Sequence, residues 1–221
     1  MRTDNGGAGS RQAAWVAMPR ALRIDEPGLT FHVWANGVRG LPLFRDVEDR
    51  DVAMQLLREE VELSEWTCLE YVLMTTHFHV LLRLRKATLS SGFHRLNTRY
   101  AQYLNKKLRS RGHVFDGRFE SKLVEGRFAL LETGRYIARN SVRANICEVP
   151  EQYPWCGYGA TIGLFPRDDV VDVRAALAPL GGSQRAYRTY VEESDRRVRW
   201  GQAWARPRST TRRTGTRAGR R

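Results

Sequence analysis

Two dense apolar runs, WTCLEYVLM (66–74) and HFHVLLRLR (77–85), stand only Thr75 and Thr76 apart. Runs of this length and composition read as neighbouring strands. In the second run the pleat sends successive side chains to opposite faces. His77, His79, Leu81, Arg83 and Arg85 therefore share one face, and Phe78, Val80, Leu82 and Leu84 the other. The apolar four supply a core face, so the rest of the chain must provide layers that cover a sheet.

Those layers are legible on either side. LTFHVWANGVRG (29–40) reads as a strand closed by a turn at Asn36, Gly37 and Gly40. Asp46 can cap a helix to about Leu63, on which Val47, Met54, Leu57 and Val61 recur at helical spacing. Leu89, Phe93, Leu96, Tyr100 and Leu104 mark a second helix over 89–108. GHVFDGRFESKLVEG (112–126) reads as a hairpin or extended pair, and a third helix is expected from Arg127 to Asn140. VVDVRAALAPL and SQRAYRTYVEES, beyond the Pro/Trp/Tyr-rich VPEQYPWCGYGA, are weaker helical patterns. The order strand, helix, strand, strand, helix, strand, helix predicts an α+β fold: a ferredoxin-like or RRM-like antiparallel sheet with helices over one face.

At 221 residues the chain suits one compact domain with trimmings. Residues 1–17 are Gly-rich and aperiodic and are expected to be a disordered extension, with the domain over 18–164, a helical extension over 165–195 and a disordered tail over 196–221. The tail holds ten arginines and no acid, out of a net charge of +13. The segment 83–122 carries eleven basic and two acidic residues. Such a balance points to a polyanionic partner. Three cysteines without a CxxC support neither a disulfide framework nor a zinc ribbon. No stretch approaches the ~18 apolar residues of a membrane span, so the expectation is a soluble, cytoplasmic protein with no membrane partner.

Two groups of residues carry potential chemistry. His77 and His79, two apart on one strand face, project side by side, a separation from which both imidazoles can reach one divalent ion. The structural alternative is two histidines that merely share a half-exposed strand. On the third helix, Leu131, Gly134 and Ala138 form one stripe, and Tyr136 and Asn140 lie on the opposite side, one turn apart. Alone, a helical tyrosine reads as a packing residue with a wet hydroxyl, and an asparagine in a last turn as a cap.

The segments MPRALRIDEPGLTFHVWANG, YVLMTTHFHVLLR, LNTRYAQYLNKK, GHVFDGRFESKLVEG, RYIARNSVRAN and YPWCGYGA run in order across 18–164. Together they resemble the REP-associated tyrosine transposases, a branch of the single-tyrosine HUH transposases of small bacterial insertion sequences, named for a histidine, hydrophobe, histidine triplet. The resemblance implies the HUH nuclease fold, with His77 and His79 as the pair that ligates Mg2+ or Mn2+, Asn140 as a third metal ligand and Tyr136 as nucleophile. It further implies cleavage and rejoining of single-stranded DNA at or near hairpins through a 5'-phosphotyrosine, by a nucleoid-associated monomer or homodimer. The chain departs from the family at Thr75-Thr76, where relatives carry Pro-Asn, and at Asn140-Ser141, where they carry Asn-Pro.

Single strands and hairpins are gripped by basic grooves with stacking aromatics. Arg99, Lys106, Lys107 and Arg118 are the expected phosphate contacts, beside Tyr100, Tyr103, Phe115 and Phe119. His32 and His113 are expected to pack or hydrogen-bond. Two other functions share this fold: a DNA-binding regulator without catalysis, and a nicking enzyme of the relaxase or replication-initiator kind. The complete set His77, His79, Tyr136 and Asn140 argues against the first; the lack of a helicase or primase region and of a second nearby tyrosine argues against the second.

Overall fold

A computed structural model describes residues 25–165 and 169–193; the expected extension at 1–17 and the Arg-rich tail at 196–221 lie outside the described residues. Four strands, β1 (Thr30–Asn36), β2 (Trp66–Leu73), β3 (His77–Leu84) and β4 (Glu120–Leu123), form one antiparallel sheet in the order β2-β3-β1-β4. Helix α1 (Val47–Leu63) joins β1 to β2 and helix α2 (Leu89–Lys107) joins β3 to β4. Each crossover skips one strand, which is the βαββαβ ferredoxin-like arrangement.

The local causes are ordinary. Asp46 starts α1 by accepting a 2.9 Å bond from the Asp49 amide. The α2 stripe buries Leu89, Phe93, Leu96, Tyr100 and Leu104, and Phe93 stacks on Trp66 at 4.8 Å and on Phe78 at 6.4 Å. Gly92 allows that approach, because a Cβ there would stand 2.4 Å from Trp66 Cζ2. Both helices thus cover the Phe78 face of the sheet. The segment 112–126 forms no hairpin with itself. Its first half is a loop whose Phe115 is bridged to Gly37, just past β1, and its second half is edge strand β4, because its hydrogen-bonding partner is β1 at Phe31–Trp34.

Helix α3 (Gly126–Ala138) corrects the expectation that helices cover one face only. It lies on the other side of the sheet, where Leu131 and Gly134 meet Leu69 and Leu81. β2 is buried at all eight positions, so it needs cover on both faces. The expected single helix to Asn140 also stops early: Arg139 turns at φ −89°, ψ 8°, and α4 (Asn140–Arg143) follows.

The C-terminal segments close the free edge of β2. Leu73 N donates to Trp155 O at 2.9 Å, Gly157 N to Tyr71 O at 3.1 Å and Asp172 N to Cys68 O at 2.9 Å, which removes an exposed strand edge. Helix α5 (Tyr158–Thr161), α6 (Val173–Leu177) and α7 (Gln184–Glu192) follow. Tyr187 of α7 donates to the buried Glu70 Oε2 at 3.1 Å, so α7 is fastened to β2 and lies against α3. All three cysteines are free thiols. No helix among the described residues is long and apolar enough to cross a membrane.

Candidate active site

The site grows from the register of β1 on β3. Trp34 pairs with His79 and His32 with Leu81, so His32, Trp34, His77 and His79 rise from one face. It is the face that receives α3. His79 is buried, and its Nδ1 shares a 2.9 Å hydrogen bond with His32 Nε2. His77 is half-buried, with Nδ1 3.1 Å from Thr76 Oγ1 and Nε2 3.4 Å from Asn140 Oδ1. The two rings stand 5.1 Å apart, edge to face.

Tyr136 descends onto them from α3. Its ring centroid is 5.5 Å from that of His79 and 5.8 Å from that of His32. The Arg143 guanidinium carbon lies 5.2 Å from the same phenol ring, within cation–π range. His77, His79, Tyr136 and Asn140, up to 63 positions apart in sequence, are therefore neighbours, with the helix break at Arg139 placing Asn140 beside His77.

Electrostatics keep the imidazoles neutral. Burial, with the Lys122 ammonium nearby, pulls His32 down to about 3 from an ordinary 6.5. Burial also lowers His79 well below its ordinary value, helped by the neighbouring His32 and His77. His77 is lowered by burial, and its bond to Asn140 offsets part of that. A neutral ring offers one lone pair. With His79 Nδ1 turned to His32, its Nε2 is left for a ligand, and His77 offers Nε2 in the tautomer that carries its proton on Nδ1 toward Thr76, with Asn140 Oδ1 3.4 Å from that Nε2. Two imidazoles and a carboxamide are chemically competent donors for a divalent ion. Among the described residues no cluster of three His, Cys, Asp or Glu side chains has metal-holding geometry, so Asn140 is what would complete such a set.

Of the four expected phosphate contacts, Arg99 and Lys107 are engaged with carboxylates on or just before α1. Arg99 pairs with Glu59 at 2.7 Å. Lys107 meets Asp46, Glu48 and Asp49 at 2.8, 2.9 and 2.7 Å and Tyr103 at 3.2 Å, so its charge is already matched by three carboxylates. It ties α2 to the start of α1. Both belong to α2, across the sheet from the histidines. Lys106 and Arg118 are exposed. Tyr100 and Phe119 are core residues rather than stacking surfaces. His32 does hydrogen-bond as expected, whereas His113 is exposed.

Sequence reasoning passed over Trp34 and Arg143. Period-two alternation in FHVWAN sets Trp34 on the face of His32, and Arg143 follows Tyr136 by seven, two helical turns. Neither signal means anything until β1 is known to lie beside β3.

No family model and no curated protein matches the sequence. Among solved structures, a REP-associated tyrosine transposase bound to a REP hairpin superposes with a TM-score of 0.58 at 16% identity, over 70% of this chain and 94% of that one. A candidate transposase from Deinococcus radiodurans R1 aligns over 58% of this chain and 95% of that one, at 15% identity and a TM-score of 0.36. The chain has the α+β fold of a REP-associated tyrosine transposase.

Proposed function

We propose that this chain is a metal-dependent tyrosine transposase that cleaves and rejoins single-stranded DNA at or near hairpin, REP-like sequences. The observation that carries the reading is the meeting of Tyr136 with His79 at 5.5 Å, beside a His77–Asn140 contact of 3.4 Å. The fold neighbour is itself a transposase bound to a REP hairpin, which supports the choice of substrate.

His77, His79 and Asn140 would hold Mg2+ or Mn2+, which when bound neutralises a nonbridging phosphate oxygen. Three neutral donors leave room for phosphate and water oxygens. The imidazole share of the set favours Mn2+ over the harder Mg2+. The Tyr136 phenol oxygen attacks phosphorus, a P–O bond to tyrosine forms, and the bond to the 3' oxygen breaks. The proton lost by the phenol balances the one gained by the departing 3' oxygen. The Arg143 guanidinium, 5.2 Å from the phenol ring centroid, favours the negative charge that develops on the phenol during attack. Attack by a free 3' hydroxyl on the phosphotyrosine reverses the step and rejoins the strand.

A hairpin oligonucleotide labelled at either end tests this with Mn2+ present. The expected products are a 5' fragment with a polymerase-extendable 3' hydroxyl and a 3' fragment retained on the protein. Release of both fragments free of protein would contradict the reading.

A further inference from the structure

The end of the sheet where β1 stops and β3 starts carries a second surface, beside the histidines and outside the group that would do the chemistry. Asn36, the last residue of β1, pairs with His77, and the Gly37 amide donates to Thr76 O at 2.7 Å. The segment 105–118, at and beyond the end of α2, folds onto this end. Val38 N donates to Val114 O at 2.9 Å, Asp116 N donates to Asn36 O at 2.8 Å, and a bridge joins Gly37 to Phe115. At the other end of the loop, Asn105 Nδ2 donates to Gly112 O at 3.1 Å, and Asn105 Oδ1 accepts from Ser110 Oγ at 3.0 Å. The turn Val38–Gly40 and the loop are thus pinned to each other and to the strand end that carries His77. Asn140, from the opposite layer, reaches the same end, 3.4 Å from His77 Nε2.

This pinned unit is basic. Arg39, Lys106, Arg109, Arg111 and Arg118 are all exposed, and among the described residues no carboxylate pairs with any of them. Asp116 is the one acid in the segment 105–118. The acids at the start of α1, Asp46, Glu48 and Asp49, face Lys107 instead. The two phenylalanines of the loop and its continuation turn inward: the Phe115 centroid lies 6.3 Å from those of Phe78 and Tyr100, and that of Phe119 lies 4.9 Å from that of Phe93. Charge is therefore offered outward without a phenyl or indole face for an unpaired base to stack on.

We propose that this unit is the docking surface for the paired stem of the hairpin, gripped through its phosphates by Arg39, Arg109, Arg111 and Arg118. This inference rests on the strand-transfer reading above. A paired stem hides its bases from stacking and presents two rows of phosphates, which is what exposed guanidiniums on a held backbone can engage. Because the loop is already fastened before DNA arrives, little ordering opposes that contact. A stem docked there has its foot beside His77, so the unpaired strand that leaves the foot runs directly to Tyr136. The surface thus selects the phosphate to be cut by its distance from the stem, with no reading of the stem's base sequence.

The test measures binding by fluorescence anisotropy over a salt series, with chelator present so that no strand is cut. The full chain is compared with a variant carrying Arg39→Gln, Arg111→Gln and Arg118→Gln, on a hairpin and on an oligonucleotide of the same length whose stem half is altered to stay unpaired. On the hairpin the slope of log affinity against log salt is expected to fall by about 0.9 for each replaced arginine that meets a stem phosphate. On the unpaired oligonucleotide the two proteins should give the same slope. The corresponding triple change to lysine should restore the hairpin slope, because counterion release counts charge rather than side-chain shape. An unchanged slope on the hairpin, or an equal fall on both oligonucleotides, overturns the stem assignment. Adduct formation with Mn2+ is read separately: an adduct in the wild type with no stem-specific fall in slope sinks the docking surface alone, whereas a stem-specific fall with no adduct on any hairpin sinks the strand-transfer reading and leaves the surface as a hairpin-binding one.

Discussion

His79 sits between two histidines, and each contact limits it differently. His32 holds its Nδ1 at 2.9 Å and so decides which nitrogen faces outward, while His77 lies 5.1 Å away on the open side. Partners that orient a ligating histidine in this way are commonly worth 10–100-fold in metal affinity. His32→Leu is therefore expected to weaken Mn2+ binding by about that factor in calorimetry, and His32→Gln, which keeps an acceptor, by less. Equal affinity in His32→Leu and wild type would remove His32 from the site. The same burial has a pH signature. The unfolded chain takes up protons near 6.5 that folded His32, held at about 3, refuses. Its stabilising contribution is complete above 6.5 and is lost as pH falls from there toward 3. Between about pH 7 and pH 4.5 this amounts to roughly 2–3 kcal/mol from His32. Urea midpoints should fall over that range in wild type and fall less in His32→Gln; parallel curves would show that the ring is not buried neutral.

At the scale of elements, everything depends on how α3 seats on the sheet. Gly134 is the contact point: a Cβ there would stand 3.1 Å from Tyr187 Oη and 4.0 Å from Leu81 Cδ2. Gly134→Val should cost about 1–3 kcal/mol by overpacking. It should also slow adduct formation more than it weakens hairpin binding, since it lifts the element that carries Tyr136. A variant with unchanged cleavage would show that α3 tolerates displacement. The strands and the α2 stripe were readable because their periodicity is local; α1 forms where expected, but Val47 of its expected stripe is exposed and its buried apolar residues are Leu56 and Leu57. The Leu131, Gly134, Ala138 stripe was readable too, but not the face it would meet, since β2's burial on both sides depends on where α3 and the C-terminal segments land. The His77, His79, Tyr136 and Asn140 group was nameable in sequence, through the alternation of β3 and the resemblance. Trp34 and His32 gained their meaning only from the β1–β3 register. Two basic residues of α2, Arg99 and Lys107, are paired with Glu59 and with Asp46, Glu48 and Asp49, on or just before α1, and pairing between helices is invisible to a count of charges along one helix.

For the whole molecule the net charge of +13 is divided, with ten arginines in the segment 196–221 and a near-balanced remainder. Each tail arginine that meets a phosphate of a single strand adds about 0.7 to the slope of log affinity against log salt. Truncation after Asp195 should flatten that slope while leaving the cleavage pattern unchanged, and an identical slope would show the tail idle. The fold supplies the rest: a ferredoxin-like sheet whose Phe78 face is packed by α1 and α2, and whose other face brings the histidines to the tyrosine. The measurement that tests this most directly compares wild type and Tyr136→Phe on one labelled hairpin with Mn2+, by denaturing gel and peptide mass spectrometry. The expected result is a DNA-linked peptide containing Tyr136 in the wild type, its loss in Tyr136→Phe or with chelator, and nearly equal hairpin binding by both proteins. An adduct that persists in Tyr136→Phe, or one mapped to another residue, would contradict it.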